Sequence, residues 1–189
     1  AAERGIVIAY DSRLNSEKFA HATAAVMANA GIKVFLFDGI RPTPELSFAV
    51  RRLGTVAGVN ITASHNPKQY NGYKAYWEDG AQLGPEQADA VSEKIINTDI
   101  FKEVKFSDGD YESAVESGKI TLIGSEIDED FLTQVAKQPI CPDVVNKAAD
   151  DLKIVYTPLY GTGYKLVPEA MRRLGIKNIY TVDEQMTPD

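Results

Sequence analysis

Ser64, His65, Asn66 and Pro67 stand in immediate succession, preceded by Thr62-Ala63 and followed by Asn71-Gly72-Tyr73-Lys74. A serine hydroxyl is a weak nucleophile until a base, a cation or a fixed phosphate environment assists it. The imidazole of His65 and the ammonium of Lys74 on the same turn-rich stretch therefore matter as much as the serine. Residues 56–61 are mostly apolar and read as a buried strand. Such a strand delivers Ser64 to the carboxyl edge of a sheet, where open α/β sheets hold ligands. Asn66-Pro67 then enforces a turn. Taken alone these residues could be loop punctuation; taken as chemistry they suggest phosphoryl transfer through serine. A serine hydrolase fits poorly. Neighbouring Ser64 and His65 do not normally adopt triad geometry, the Gly-x-Ser-x-Gly elbow is absent, and His21 is the only other imidazole.

The stretch from Thr62 to Lys74 resembles the phosphoserine signature of the α-D-phosphohexomutases, the phosphoglucomutase and phosphomannomutase superfamily. Two further stretches resemble that family in the same order: Tyr10-Asp11-Ser12-Arg13-Leu14-Asn15-Ser16 and Arg41-Pro42-Thr43-Pro44. Residues 76–82 are most similar to the branch of bacterial phosphoglucomutases and phosphopentomutase-like enzymes. The resemblance implies Ser64, His65, Lys74 and Arg13 as catalytic residues and Thr62, Asn66, Pro67, Asn71 and Gly72 as the substrate and phosphate loop. Lys74 would serve as general acid or base at a sugar hydroxyl, His65 would help orient the phosphoserine loop, and Arg13 would add positive charge beside it. The implied reaction passes phosphate from Ser64 to a small sugar phosphate through a bisphosphorylated intermediate, as in converting glucose 1-phosphate to glucose 6-phosphate. Phosphomannomutase or phosphopentomutase activity, and a non-catalytic phosphate-binding module, are the alternatives.

The resemblance also implies Mg2+, held through the phosphate on Ser64 and by three aspartates of a second-domain loop, and glucose 1,6-bisphosphate as activator. No matching aspartate loop stands in this sequence. Asp108-Gly109-Asp110 imitates it, but Glu112 and Ser113 replace the third aspartate and the arginine, so a solvated acidic loop is the better reading. The expectation is a fragment with most of a first domain over residues 1–150 and the opening of a second over 151–189, inactive alone. Self-association through the incomplete second unit is expected, because apolar edges would be left uncovered.

With 189 residues, 44% of them hydrophobic, the chain can bury a substantial core. Its formal charge of −7 argues against broad nucleic-acid binding, which needs a basic face. It does not argue against a sugar phosphate, which needs only a few converging cations; Arg13, Arg41, Lys68 and Lys74 fall in or beside the proposed loops. No apolar run approaches membrane-spanning length and no leader pattern is present, so a cytoplasmic location without membrane partners is expected. Cys141 has no second cysteine to pair with and reads as a buried or semi-buried thiol, and one cysteine with two histidines cannot build a zinc cluster.

These loops must be positioned by alternating elements. Residues 6–9 read as a strand, and 16–30 as a helix capped by Asn15 or Ser16, stopped by Gly31, with Phe19, Thr23, Val26 and Ala30 on its buried face and His21 exposed. Residues 32–37 are predicted as a strand, 44–53 as a helix, 56–61 and 73–77 as strands, and 85–96 as a helix burying Ala88, Val91 and Ile95. A polar connector is expected over 97–118. A helix then starts at a Ser125/Asp128 capping box, carrying Ile127, Phe131 and Val135, followed by a strand–helix–strand over 152–182. The class is α/β, with a mixed, largely parallel sheet, helices on both faces and an incomplete second α/β unit.

Overall fold

Ile-Val-Ile-Ala-Tyr at Ile6–Tyr10 (β1) is buried at every position. A strand apolar on both faces belongs in the middle of a sheet covered on both sides. In the computed structural model, which describes residues 1–189, β1 is the third strand of five. Val34–Phe37 (β2) and Ala57–Ile61 (β3) flank it in parallel. Tyr73–Trp77 (β4) closes one edge antiparallel to β3, and Ile120–Ile123 (β5) closes the other parallel to β2. The order is β4-β3-β1-β2-β5, a mixed and largely parallel sheet as expected.

Right-handed crossovers to opposite sides of β1 place successive helices on opposite faces. Ser16–Asn29 (α1) covers Ile6, Ile8, Tyr10, Val34, Leu36, Val59 and Ile61. Its buried face differs from the expected one: Ala20, Ala24, Ala25 and Ala28 face the sheet, whereas Phe19 is 45% exposed. Alanines at a spacing of four form a flat ridge that lets the helix lie close to the sheet, and a phenylalanine there would hold it off. His21 is not exposed either; its ring stacks on Tyr111 with centroids 3.9 Å apart. No side chain caps α1, and Asn15 enters it from the left-handed region at φ 64°.

Thr43–Leu53 (α2) covers the other face, burying Leu46, Ala49 and Val50. Gly58 of β3 is required at this contact, because a Cβ there would lie 2.6 Å from Val50 Cγ2. Arg41 just before α2 is buried, paired with Asp38 at 3.0 Å and Glu45 at 3.8 Å. It is an internal ion pair rather than a surface cation.

Three expectations between residues 85 and 123 are corrected. Pro85–Ile96 (α3) buries no residue; Val91 and Ile95 instead line an open apolar groove with Trp77. The supposed connector contains two short helices, Ile100–Glu103 (α4) and Asp110–Glu116 (α5), and leads into β5, which short length and Thr121 concealed. Asp110 is no solvated loop residue: its Oδ2 accepts hydrogen bonds from Asn29 Nδ2 and the Ser107 amide, which fixes the start of α5 beside α1.

The chain divides into compact units at Ala1–Ile123 and Gly124–Asp189, earlier than the expected boundary near 151. The reason lies in Ser125–Val135 (α6), which packs on Gly163–Arg173 (α8) and ties Asp128 to Lys165 at 2.5 Å. Ser125 forms no capping box; Gly124 occupies the cap, and Ile127, Asp128 and Leu132 are the buried positions. Pro142–Ala148 (α7) follows, with Cys141 exposed at its cap rather than buried. Lys153–Tyr156 (β6) and Asn178–Thr181 (β7) pair in parallel across α8, and Val155 and Tyr180, register partners, are both exposed. No helix is long and apolar enough to cross a membrane.

Replacing Gly58 by alanine should destabilise the chain by about 1–3 kcal/mol in chemical denaturation through overpacking against Val50, and adding Val50→Ala should restore part of the loss. In the second unit, Arg173 donates to Glu129 at 2.5 Å and to Glu169 at 3.0 Å, holding both carboxyls below their ordinary value of 4.5. A depressed folded value contributes stability that is present above the unfolded value and lost as pH falls through the folded one. Arg173→Ala should therefore flatten the acid limb of a stability-versus-pH curve below about pH 4.5 and lower stability only modestly at neutral pH.

Candidate active site

The parallel pairing of β1 and β3 runs to Tyr10↔Ile61, so both strands end at one level. The Asp11 amide donates to the Ile61 carbonyl at 3.2 Å, and the loops 11–15 and 62–72 leave the carboxyl edge side by side. β4 then returns antiparallel to β3, with Lys74 opposite Asn60. The chain is back beside Ser64 after ten residues. Gly72 permits this return: a Cβ there would stand 2.8 Å from the Thr62 carbonyl oxygen, which itself neighbours the Thr62 amide that donates to the Gly72 carbonyl at 3.1 Å.

Ser64 sits exposed at φ 57°, in the left-handed region. A non-glycine residue there costs about 1–2 kcal/mol, so neighbouring bonds must hold it. Thr62, buried at the strand end, accepts a hydrogen bond at Oγ1 from the Ser64 amide at 3.1 Å. Lys74 Nζ donates a short hydrogen bond to Ser64 Oγ. The serine hydroxyl and the lysine ammonium are thus in direct contact.

Arg13 lies beside the serine loop and bonds its backbone. Its Nη2 donates to the Ser64 carbonyl at 2.6 Å, and its Nη1 donates to the carbonyls of Asn66 at 2.5 Å, Pro67 at 2.8 Å and Tyr70 at 3.4 Å. Its Nε donates to Asp11 Oδ2 at 3.1 Å. The guanidinium faces loop carbonyls and a carboxylate. Asn66 and Pro67 therefore enter the site through their backbone. Asn71 enters through its amide: Nδ2 donates to Ser16 Oγ at 2.7 Å, and Oδ1 accepts from the Gly72 amide at 2.9 Å. His65 is exposed beside Ser64 and joins none of these bonds.

Sequence reasoning named Asp11 and Ser16 within the stretch 10–16, with Ser16 also as a possible helix cap, but gave neither a role in the site. Ser16 is fully buried and donates from Oγ to Asp11 Oδ1 at 2.8 Å, and Asp11 Oδ1 also accepts from the Arg13 amide at 3.1 Å. The visible signal was an aspartate two residues before an arginine and five before a serine, all directly after a strand. Tyr10, the last residue of β1, is buried with its hydroxyl 3.5 Å from Glu17, and burial together with that carboxylate pushes its pKa well up, keeping it neutral.

A doubly covered, largely parallel sheet with a serine–lysine contact at its carboxyl edge defines an α/β protein with a candidate active site at that edge. Residues 1–102 match the family model described as phosphoglucomutase/phosphomannomutase, alpha/beta/alpha domain I, and residues 129–189 match that of domain II. The chain belongs to the phosphoglucomutase/phosphomannomutase family. A Staphylococcus saprophyticus phosphoglucomutase is 39% identical over 187 residues, covering 99% of this chain and 33% of the relative. A Haemophilus influenzae protein named a probable phosphomannomutase is 35% identical, covering 99% of this chain and 36% of its own. The solved Paramecium pp63/parafusin, a phosphoglucomutase in an open form, matches with a TM-score of 0.72 at 15% identity, over 100% of this chain and 37% of its own. The chain thus spans about a third of the length of the curated relatives it matches.

Ser64→Gly removes the positive-φ penalty, whereas Ser64→Ala keeps it. Ser64→Gly should therefore exceed Ser64→Ala in stability by about 1 kcal/mol in urea denaturation.

Proposed function

We propose that this chain carries the phosphoryl-transfer serine of a phosphosugar mutase, a phosphoglucomutase that interconverts glucose 1-phosphate and glucose 6-phosphate. The observation that carries this reading is the contact of Lys74 Nζ with Ser64 Oγ. A cation on the serine oxygen stabilises charge as the oxygen–phosphorus bond forms or breaks, in a reaction whose loose transition state calls mainly for positioning and electrostatics. In the forward half-reaction, the bond between Ser64 Oγ and phosphorus breaks as a bond from a sugar hydroxyl oxygen to phosphorus forms. Lys74 gives a proton to the departing Oγ and recovers one from the sugar hydroxyl, so charge and atoms balance. After the bisphosphorylated sugar turns over, its other phosphate returns to Ser64 by the same steps reversed. His65, exposed beside Ser64, would help orient the phosphoserine loop.

The residues of this chain do not build the expected Mg2+ site. No three carboxylate, imidazole or thiol groups cluster, and Asp110 is committed to Asn29 and Ser107. Ser64 would supply a single phosphate oxygen, and the steps above use only the chain's own groups. Mannose phosphate is the second reading, favoured by the name of the H. influenzae relative. A longer polypeptide carrying the domains found in the relatives is the form in which turnover is expected.

Intact mass and peptide mapping before and after incubation with glucose 1,6-bisphosphate and Mg2+ should place one phosphate on Ser64; an unmodified serine in the longer polypeptide would sink the reading. In that polypeptide Ser64→Ala should abolish mutase turnover and Lys74→Ala should lower kcat by roughly 10²–10⁴-fold, with glucose and mannose 1-phosphates compared to separate the two sugars. A protein that merely displays a modified Ser64 would tolerate the lysine change.

A further inference from the structure

We propose that Asp11 is a positioning residue for Ser64, and that Arg13, aimed by Asp11, clamps the serine loop rather than lending its charge to phosphate; the inference deepens the mutase reading and rests on it. Two branches leave the Asp11 carboxylate and both end at Ser64. Through Oδ2 the carboxylate accepts Arg13 Nε, which turns the guanidinium's remaining edge onto the carbonyls of Ser64, Asn66, Pro67 and Tyr70. Through Oδ1 it accepts Ser16 Oγ; Ser16 in turn accepts Asn71 Nδ2, and Asn71 Oδ1 accepts the Gly72 amide. Gly72 and Thr62 are bonded to each other, and Thr62 Oγ1 holds the Ser64 amide. The amide side of Ser64 is therefore held by one branch and its carbonyl by the other.

Four carbonyls converging on one point present concentrated partial negative charge, which an arginine fork can satisfy and a lysine ammonium, with three donors at a single nitrogen, matches poorly. The Arg13 side chain is only 10% exposed and its partner Asp11 only 17%, so the pair is held within the protein and its charge is locally balanced. The left-handed turn at Asn15 is what swings buried Ser16 back to Asp11. Ser64 at φ 57° would relax if either branch were cut, and its Oγ would leave the line set by Lys74.

The experiment compares the parent with Asp11→Asn, Arg13→Lys and Asn71→Ala by hydrogen exchange of this chain without substrate, and by kcat and KM for glucose 1-phosphate in the full-length polypeptide. Each variant should speed exchange of amides in residues 62–72 by about tenfold or more, while amides of β1 and β3 stay protected as a control for folding. Asp11→Asn and Arg13→Lys should lower kcat on the order of a hundredfold with KM little changed, the pattern of a misplaced reacting group. If Asp11→Asn fails the folding control, Asn71→Ala, cut at the loop end of the same branch, decides. Arg13→Lys turning over like the parent would overturn the clamp, because that is the behaviour of a charge; so would parental loop exchange in the variants. A parent Ser64 that takes up no phosphate would sink the mutase reading alone, since accelerated loop exchange would still uphold the clamp.

Discussion

The site depends on the parallel register of β1 with β3. Because Ile6 pairs with Ala57 and Tyr10 with Ile61, two strands separated by two crossovers end together at one edge of the sheet. That register is enforced from both faces. Ile6, Ile8, Tyr10, Val59 and Ile61 meet the alanine ridge of α1 on one side, and Gly58 meets Val50 and Leu46 on the other. A slip by one residue would turn the apolar set of β3 over and drive Asn60 against the alanines. The loops would then no longer be adjacent, and no hydrogen bond between them could form.

The antiparallel return of β4 supplies what a purely parallel sheet would not. Parallel strands need a long crossover before the chain comes back to the same edge, whereas a hairpin returns within a few residues. Lys74 reaches Ser64 from the strand hydrogen-bonded to the one that delivers the serine, so the cation rides on sheet geometry rather than on a mobile loop. The mixed character of the sheet is in this sense a feature of the site. It places Ser64 after one strand's end and Lys74 on the next strand's start.

How much of this was legible follows from what each residue type signals. Short apolar strands between helices gave the α/β class, and the Thr62 to Lys74 stretch gave the serine and lysine that the structure joins. The face of α1 was misread because alanine carries little hydrophobic signal, so the larger Phe19 and Val26 drew the stripe away from Ala20, Ala24 and Ala28. The apolar positions of α3 were legible as a stripe, but no local pattern tells that the stripe stays uncovered. Cys141 looked buried between Ile140 and Pro142, yet Ile140 itself is 97% exposed. Asp11 and Ser16 stood in one recognisable stretch, but their joint role was not legible because it depends on Asn71, fifty-five residues beyond Ser16.

Charge reading shows the same division. Counting cations near the loops gave four candidates for phosphate, but position in the chain does not distinguish a cation that is available from one that is already satisfied. Arg41 is buried against Asp38 and Glu45, and Arg13 is turned onto Asp11 and backbone carbonyls. Each arginine follows a strand end by only a few residues, where the chain must reverse and leaves carbonyls and carboxylates that need a donor; arginine, with five N–H groups in a fixed plane, answers several at once. Lysine concentrates its donors on one nitrogen, and at Lys74 that nitrogen is directed to the serine oxygen. Within this unit, arginine bonds the loop backbone and lysine meets the serine oxygen, and this division lets a chain with a net charge of −7 hold a cation at Ser64.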